Sequence, residues 1–337
     1  MKIAFEPEQQ ALAAGFDRAV GSLATPEALR ALWDSETGRS PELWDALVGM
    51  GLPAILVPEE HGGFDGNLVD LALVLESVGR HAVPDALLEA LVTGPVALAR
   101  AGSPEQQERW LPGIADGSLR VTAALRGLAS VPDAHVSDLL VYRDGEDLLV
   151  VELGACTVTK LTVMDPSRRQ FAVEVPDGAA EVLPGSAAAL DAVLAHEGAG
   201  SSSVLIGLSQ RMIDDTVAYA KVREQFGRVI GSFQAVKHQL ADATARIQMA
   251  SFQVHAAAAK VAGDAEDTRF AALAARQVAL DAEFEANRAA LQLHGGIGFT
   301  WEHDLQIWLK RGKALEQAHG NRGEIADEIG AAVLARL

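Results

Sequence analysis

The second half of the chain repeats apolar residues at helical spacing over four long stretches, and only short glycine-bearing breaks part them. The stretches run over roughly 199–225, 234–262, 267–293 and 303–317, with a shorter one after Asn321. Helices of ~25 residues joined by short loops must run antiparallel and share one core, so this spacing predicts a four-helix bundle. No internal repeat or low-complexity linker interrupts it.

Residues 1–118 also read as helical. Ser40-Pro41-Glu42 and Ser103-Pro104-Glu105-Gln106 each place a serine cap before a proline at the first helical position, where proline orphans no N–H. Leu68 to Val78 keeps the helical period, and Leu56-Val57-Pro58-Glu59-Glu60-His61-Gly62-Gly63 is a turn-rich connector. Between these regions, over 119–184, the pattern changes. Val121–Leu125, Leu139–Tyr142, Leu148–Leu153, Thr157–Val163 and Phe171–Val175 are short apolar or β-branched runs, with Asp144-Gly145 suited to a hairpin turn. The expected organisation is therefore an N-terminal helical domain (1–118), a small β domain (119–184) and a C-terminal helical bundle (185–337): mainly α with a small β domain.

Composition narrows the function classes. Of 337 residues, 49% are apolar and 22% charged, enough to bury a core, while a formal charge of −18 without a basic patch argues against nucleic acid. No apolar run reaches the ~18 residues of a membrane span, and the start, MKIAFEPEQQ, does not read as an export signal. The lone cysteine, Cys156, leaves no internal disulfide. These features predict a cytoplasmic protein with neither membrane nor nucleic-acid partners.

Two segments of the bundle carry candidate chemistry. In Arg223-Glu224-Gln225-Phe226-Gly227-Arg228-Val229-Ile230-Gly231-Ser232-Phe233-Gln234, a helix is expected to end at Gly227 and a new one to begin after Ser232. Arg223 offers a planar fork of donors suited to phosphate, although a solvated arginine beside a glycine cap is equally compatible with the local pattern. In Gln292-Leu293-His294-Gly295-Gly296-Ile297-Gly298-Phe299-Thr300-Trp301-Glu302 the glycines follow a helix, which excludes a Rossmann fingerprint. Paired glycines there can expose N–H groups to an anion, or simply stop the helix. No His or Cys spacing fits a metal; His238 and His255 read as surface or hydrogen-bonded residues, and Lys310, Arg311 and Lys313 as a solvated helix face.

Together the two segments resemble the acyl-CoA dehydrogenase family. Arg223 to Asp242 matches its Arg-x-x-Phe-Gly…Phe-Gln-x-x-x-His-x-Leu-Ala-Asp stretch, and Gln292 to Glu302 its Gln-x-x-Gly-Gly-x-Gly-Phe/Tyr-x-x-Glu stretch. Pro58 to Gly63 and Gly102 to Pro112 fit as well, so the likeness runs from about residue 7 to 320 in the family's order. The resemblance implies the acyl-CoA dehydrogenase fold and α,β-dehydrogenation of an acyl-CoA by FAD, with an electron-transfer flavoprotein as the usual acceptor. It also implies that Arg223, Phe226, Gln234, Gln292, Gly295 and Gly296 hold the ADP half of an FAD bound largely by a partner subunit.

The chain departs from the family where the flavin ring is usually cradled. Val121-Thr122-Ala123-Ala124-Leu125-Arg126-Gly127-Leu128-Ala129-Ser130 lacks the Glu-Pro and Gly-Ser-Asp elements, and no Trp occurs between Trp110 and Trp301. The family's usual catalytic glutamate falls on His319. Its alternative position falls on Glu197, whose arginine neighbour is replaced by Gly198, and Glu197 is equally suited to precede a helix beginning near Gly200. The sequence is thus similar to the shortened, degenerate subunit of α2β2 bacterial steroid-CoA dehydrogenases. Two alternatives stay open: a self-sufficient homotetramer with Glu197 as base, and a flavin-free scaffold.

Overall fold

The structure, a computed structural model, describes residues 4–335, so the start of the segment read above for an export signal lies outside the described residues. Six helices open the chain: α1 (Pro7–Leu23), α2 (Pro26–Trp33), α3 (Pro41–Gly49), α4 (Leu68–Arg80), α5 (Gly94–Ala101) and α6 (Pro104–Ala115). Their starts follow the sequence signals. Ser40 Oγ accepts from the Leu43 N–H at 3.2 Å, and Ser103 and Gln106 satisfy each other's backbone donors in a capping box. A single π turn at Glu89–Thr93 leads into α5.

Seven strands follow: β1 (Val121–Ala124), β2 (Val131–Pro132), β3 (Leu139–Asp144), β4 (Asp147–Glu152), β5 (Thr157–Lys160), β6 (Gln170–Glu174) and β7 (Glu181–Val182). They form two sheets, ordered β1-β3-β4-β7 and β2-β6-β5. β1 pairs parallel to β3, and β3 turns into β4 through a hairpin in which Gly145 takes φ +61°. The period of two divides the first sheet between two cores. Leu139, Val141, Leu148 and Val150 join the main helical core, while Leu140, Tyr142 and Val151 meet Val131, Phe171 and Val173 in a smaller one.

The strand expected over Thr157–Val163 stops at Lys160, and residues 161–169 instead form a strap that returns to the helices. Arg169 donates to backbone carbonyls of Leu32, Ser35 and Glu36, Trp33 Nε1 donates to Ser167 Oγ, and Arg168 pairs with Glu89. Asp165 pairs with Arg311, whose guanidinium also donates to the Val83 carbonyl. Arg311 is 3% exposed, which corrects its reading as part of a solvated face.

The remainder is helical: α7 (Ser186–Val222), α8 (Gln234–Ala262), α9 (Thr268–His294), α10 (Leu305–Ala318) and α11 (Arg322–Leu334), with a two-strand hairpin of β8 (Glu224–Gln225) and β9 (Arg228–Val229) after α7. α7 begins well before residue 199 and ends at Val222, not at Gly227. Its early start rests on packing. A Cβ on Gly207 would lie 1.7 Å from the Glu76 carbonyl oxygen, and one on Gly79 would lie 1.9 Å from that of Val204. α4 and α7 therefore cross backbone to backbone at paired glycines, and that contact outweighs the low helix propensity of Gly198, Gly200 and Ser201 to Ser203.

Candidate functional site

Two places carry the residues singled out above. The first is a cavity of about 440 Å³ between β1, the strap and the C-terminal half of α10. Glu197 lies inside α7 and is 5% exposed, which corrects its placement ahead of a helix. His319, at the end of α10, points its Nδ1 at Glu197 Oε1 across 3.3 Å. The two alternative base positions thus meet as one hydrogen-bonded pair. On the other side, His319 Nε2 lies 3.5 Å from Glu89 Oε1 and 3.4 Å from Arg168 Nη2.

Glu89 and Arg168 form the centre of this network, with Arg168 Nη2 donating to Glu89 Oε1 at 2.6 Å. Burial acts to raise the Glu89 pKa, but the charges of Arg168 and His319 outweigh it and hold the carboxyl below its ordinary value. Arg168 responds oppositely: burial opposes its charge, and Glu89 more than restores it. Beyond Glu197 lies Arg276, buried and donating to the Leu315 carbonyl at 2.6 Å, with burial lowering its pKa to about 10. A second buried pair, Arg39 with Asp85, sits beside Asp133, whose pKa burial raises to about 6 against the pull of Arg39.

A flavin ring finds little to hold it in this cavity. The β1 wall is Ala123, Ala124 and Leu125, and the Thr122 hydroxyl is turned inward to donate to the Pro132 carbonyl at 2.7 Å. Arg126, next along, is tied to Glu324 and Glu328 of α11. The polar groups on the opposite wall are mostly charges paired with one another, and Gln317 is the one carboxamide without a hydrogen-bond partner that lines it among the described residues.

The second place is the outer end of the bundle, where α7 and α9 end and α8 begins. Arg223, Phe226, Gln234, Gln292, Gly295 and Gly296 are all exposed, Phe226 by 93%. Among the described residues the side chains of Arg223, Gln234 and Gln292 have no ion-pair or hydrogen-bond partner. Phe226 and Gly227 turn the β8–β9 hairpin with φ of +54° and +76°. Positive φ at both positions is a turn that favours Asn and Gly, so a phenylalanine here is strained. Gly295 has φ +63° and ψ −144°, and a Cβ on Gly295 or Gly296 would meet nothing within 4 Å. The backbone is open for a ligand to approach, and this set fits the phosphate-bearing half of a dinucleotide: a free guanidinium, two free carboxamides and a glycine backbone with no side chain in the way.

Gln292 also borders a cleft of about 310 Å³ between α8 and α9, shared with Asp242, Arg246 and Arg288. Arg246 and Arg288 escaped the sequence reading, although each sits four residues from a motif position, Asp242 and Gln292, and so shares its helix face. Glu89 and Arg168 gave no local signal at all. Among the described residues no cluster of three or more His, Cys, Asp or Glu could hold a metal ion, and no helix is long and apolar enough to cross a membrane.

Comparison with known proteins decides the family. The model for the acyl-CoA dehydrogenase N-terminal domain matches residues 6–118, and that for the C-terminal domain matches residues 184–334. The chain belongs to the acyl-CoA dehydrogenase family. Acyl-CoA dehydrogenase IpdE2 of Mycolicibacterium smegmatis is 36% identical over 301 residues, covering 88% of this chain and 89% of that one. IpdE2 of Mycobacterium tuberculosis is 35% identical over 324 residues, covering 93% and 92%. Among solved structures, a variant of the Tcur3481–Tcur3483 steroid ACAD superposes with a TM-score of 0.89 at 27% identity, covering 97% of this chain and 98% of that one. The ChsE4–ChsE5 complex from M. tuberculosis gives 0.87 at 25%, covering 99% of each. Family membership thus accounts for the mainly helical fold with its small sheets, and it makes the chain kin to oxidoreductases that act on acyl-CoA.

Proposed function

We propose that this chain is the non-cradling subunit of a heteromeric, FAD-dependent acyl-CoA dehydrogenase, with α2β2 as the simplest assembly. The observation that carries the reading is a contrast. The residues matching the family's ADP-side contacts are exposed and uncommitted, while the cavity matching its ring site is closed by internal charge pairs. Arg223 would pair with the pyrophosphate of an FAD seated mainly in a partner acyl-CoA dehydrogenase subunit. Gln234 and Gln292 would hydrogen-bond it, Gly295 and Gly296 would let it approach the backbone closely, and Phe226 would cover it.

An FAD held there would supply the hydride acceptance that α,β-dehydrogenation of an acyl thioester to the 2-enoyl-CoA requires. This chain's residues bind and orient; the proton-abstracting carboxylate belongs to the partner, because Glu197 and His319 are engaged with each other and with Glu89. Likeness to a steroid ACAD supports a bulky steroid-CoA substrate, and likeness to the two-protein ChsE4–ChsE5 complex supports a heteromer; an electron-transfer flavoprotein would be the acceptor by analogy with the family.

The test is FAD per polypeptide, first for this chain alone and then co-expressed with a second acyl-CoA dehydrogenase subunit from the same source that carries an intact flavin cradle. Almost no flavin alone, and one per pair of chains together, is expected. One flavin per chain in the isolated protein overturns the reading and favours the self-sufficient homotetramer; no flavin change on mutating Arg223 favours the scaffold. Glu197→Gln separates the first two independently, since it abolishes turnover only if this chain supplies the base.

A further inference from the structure

The two cofactor-facing segments stand on different helices. The Arg223 arm leaves the C-terminal end of α7, and the Gly295–Gly296 turn leaves that of α9. A single ligand gripped by both requires their spacing to be fixed before it arrives. We propose that a cluster of three rings, Tyr219 stacked on His294 with His303 edge-on to both, fixes that spacing, and that these are positioning residues for the cofactor-facing end. The proposal rests on the half-site reading above for its functional meaning.

Tyr219 lies one turn before Arg223, and its carbonyl accepts the Arg223 N–H at 2.9 Å, so it is the last backbone anchor of the arm. Its ring stacks on that of His294, with centroids 4.4 Å apart and planes 21° from parallel. His294 directly precedes Gly295. His303, on the chain returning from the glycine turn, closes the cluster edge-on, 4.8 Å from His294 and 6.2 Å from Tyr219. One ring therefore comes from each side of the glycine turn, and the third from the root of the arm.

The orientation of His294 is held from its own helix. Its Nδ1 lies 2.8 Å from the Ala290 carbonyl, which fixes the proton on Nδ1 and sets the ring plane. His294 is buried, whereas the two segments it joins are exposed. The arm gains a second tie where the Ile230 N–H donates to the Arg223 carbonyl at 2.8 Å, and Gly231 passes so close to α7 that a Cβ there would lie 2.8 Å from the Ala220 oxygen. The hairpin is thus fastened to α7, and α7 is fastened through Tyr219 to the glycine turn. Flat rings stacked at this junction resist the sliding of one helix end past the other, which aliphatic packing alone does not prevent.

Hydrogen exchange on the full chain without cofactor reads this coupling directly. Tyr219→Leu should raise exchange by about two- to ten-fold at both 224–231 and 295–299, and Tyr219→Phe, which keeps the stack, should restore it. Faster exchange confined to the arm, or no rescue by Phe, would overturn the coupling and leave Tyr219 as ordinary packing. The functional half is read as the FAD dissociation constant of the co-expressed complex. Tyr219→Leu should weaken FAD about two- to ten-fold, and adding it to Arg223→Ala should weaken binding little further, since Tyr219 acts through Arg223. Unchanged FAD affinity in Tyr219→Leu, while Arg223→Ala does weaken it, overturns the positioning role. If Arg223→Ala itself changes nothing, the half-site reading has failed, and the exchange result still decides whether the stack couples the segments.

Discussion

The inner cavity and the outer bundle end both collect charged and amide side chains, yet they dispose of them in opposite ways. Around the cavity, Glu89, Arg168, His319 and Glu197 pair with one another across α7, the strap and α10, although Glu89 Oε2 and Arg168 Nε stay without a partner. At the bundle end, Arg223, Gln234 and Gln292 face solvent with no partner among the described residues. The first arrangement contributes to holding this chain together; the second contributes nothing to its own fold. Placement therefore separates side chains that bind one another inside the fold from side chains left open to solvent, even where the residue types are alike.

Substitutions can break this contrast, and the largest effect should come from the cavity. Arg168→Ala leaves the Glu89 carboxylate buried without its partner and should cost roughly 3–5 kcal/mol in chemical denaturation, while the paired Arg168→Met/Glu89→Gln change should recover most of the loss. A loss below about 1 kcal/mol for the single change would mean that the network is not an internal clasp. At the bundle end, Arg223→Ala should leave denaturation within about 0.5 kcal/mol. FAD titrated into the assembled complex should bind more weakly by roughly 1.5–3 kcal/mol, the range for a charged hydrogen bond. If stability falls as well, the end is not independent of the fold.

Asp133 sharpens the interior half. Its native pKa of about 6 lies above the ordinary 3.8, so its contribution favours the fold fully below about pH 4 and is lost as pH rises through 6. Asp133→Asn should then stabilise the chain at pH 7 by up to about 3 kcal/mol and flatten the pH dependence of unfolding between 4 and 7. Asn also tolerates the left-handed φ of +51° at this position. The smallest effect is expected at Phe226. Phe226→Asn should stabilise the hairpin by about 0.5–1 kcal/mol through relief of its positive φ, while weakening FAD retention in the complex. Stabilisation without weaker retention would show that the strained ring serves no contact.

The same contrast explains what the sequence disclosed. The bundle end was legible because its residues are contiguous: Arg223 to Gln234 and Gln292 to Glu302 are short motifs whose order survives in one dimension. α8 was readable from Gln234 to Ala262 because its period is unbroken. The inner network was not legible, since Glu89 and Arg168 are brought together by a strap whose local pattern reads as a strand end. Arg311 looked solvated beside Lys310 and Lys313, because composition cannot show that Asp165 waits across the fold. Glycines and serines at 198–203 broke the helical signal of α7 and hid its turns from Ser186 onward, although the helix is continuous there and crosses α4 closely just beyond, at Val204 and Gly207.

α7 carries Glu197 at the cavity and delivers Arg223 at the outer end, about 26 residues and ~39 Å further on. Because it is one uninterrupted helix, those two positions share a fixed angular phase as well as a fixed distance. Inserting or deleting a single residue between them would swing the arm by about 100° around the helix axis while barely changing its reach. Point substitutions along the exposed face of that interval can accumulate, but its length cannot drift: α7 works as a ruler whose markings count only in whole residues.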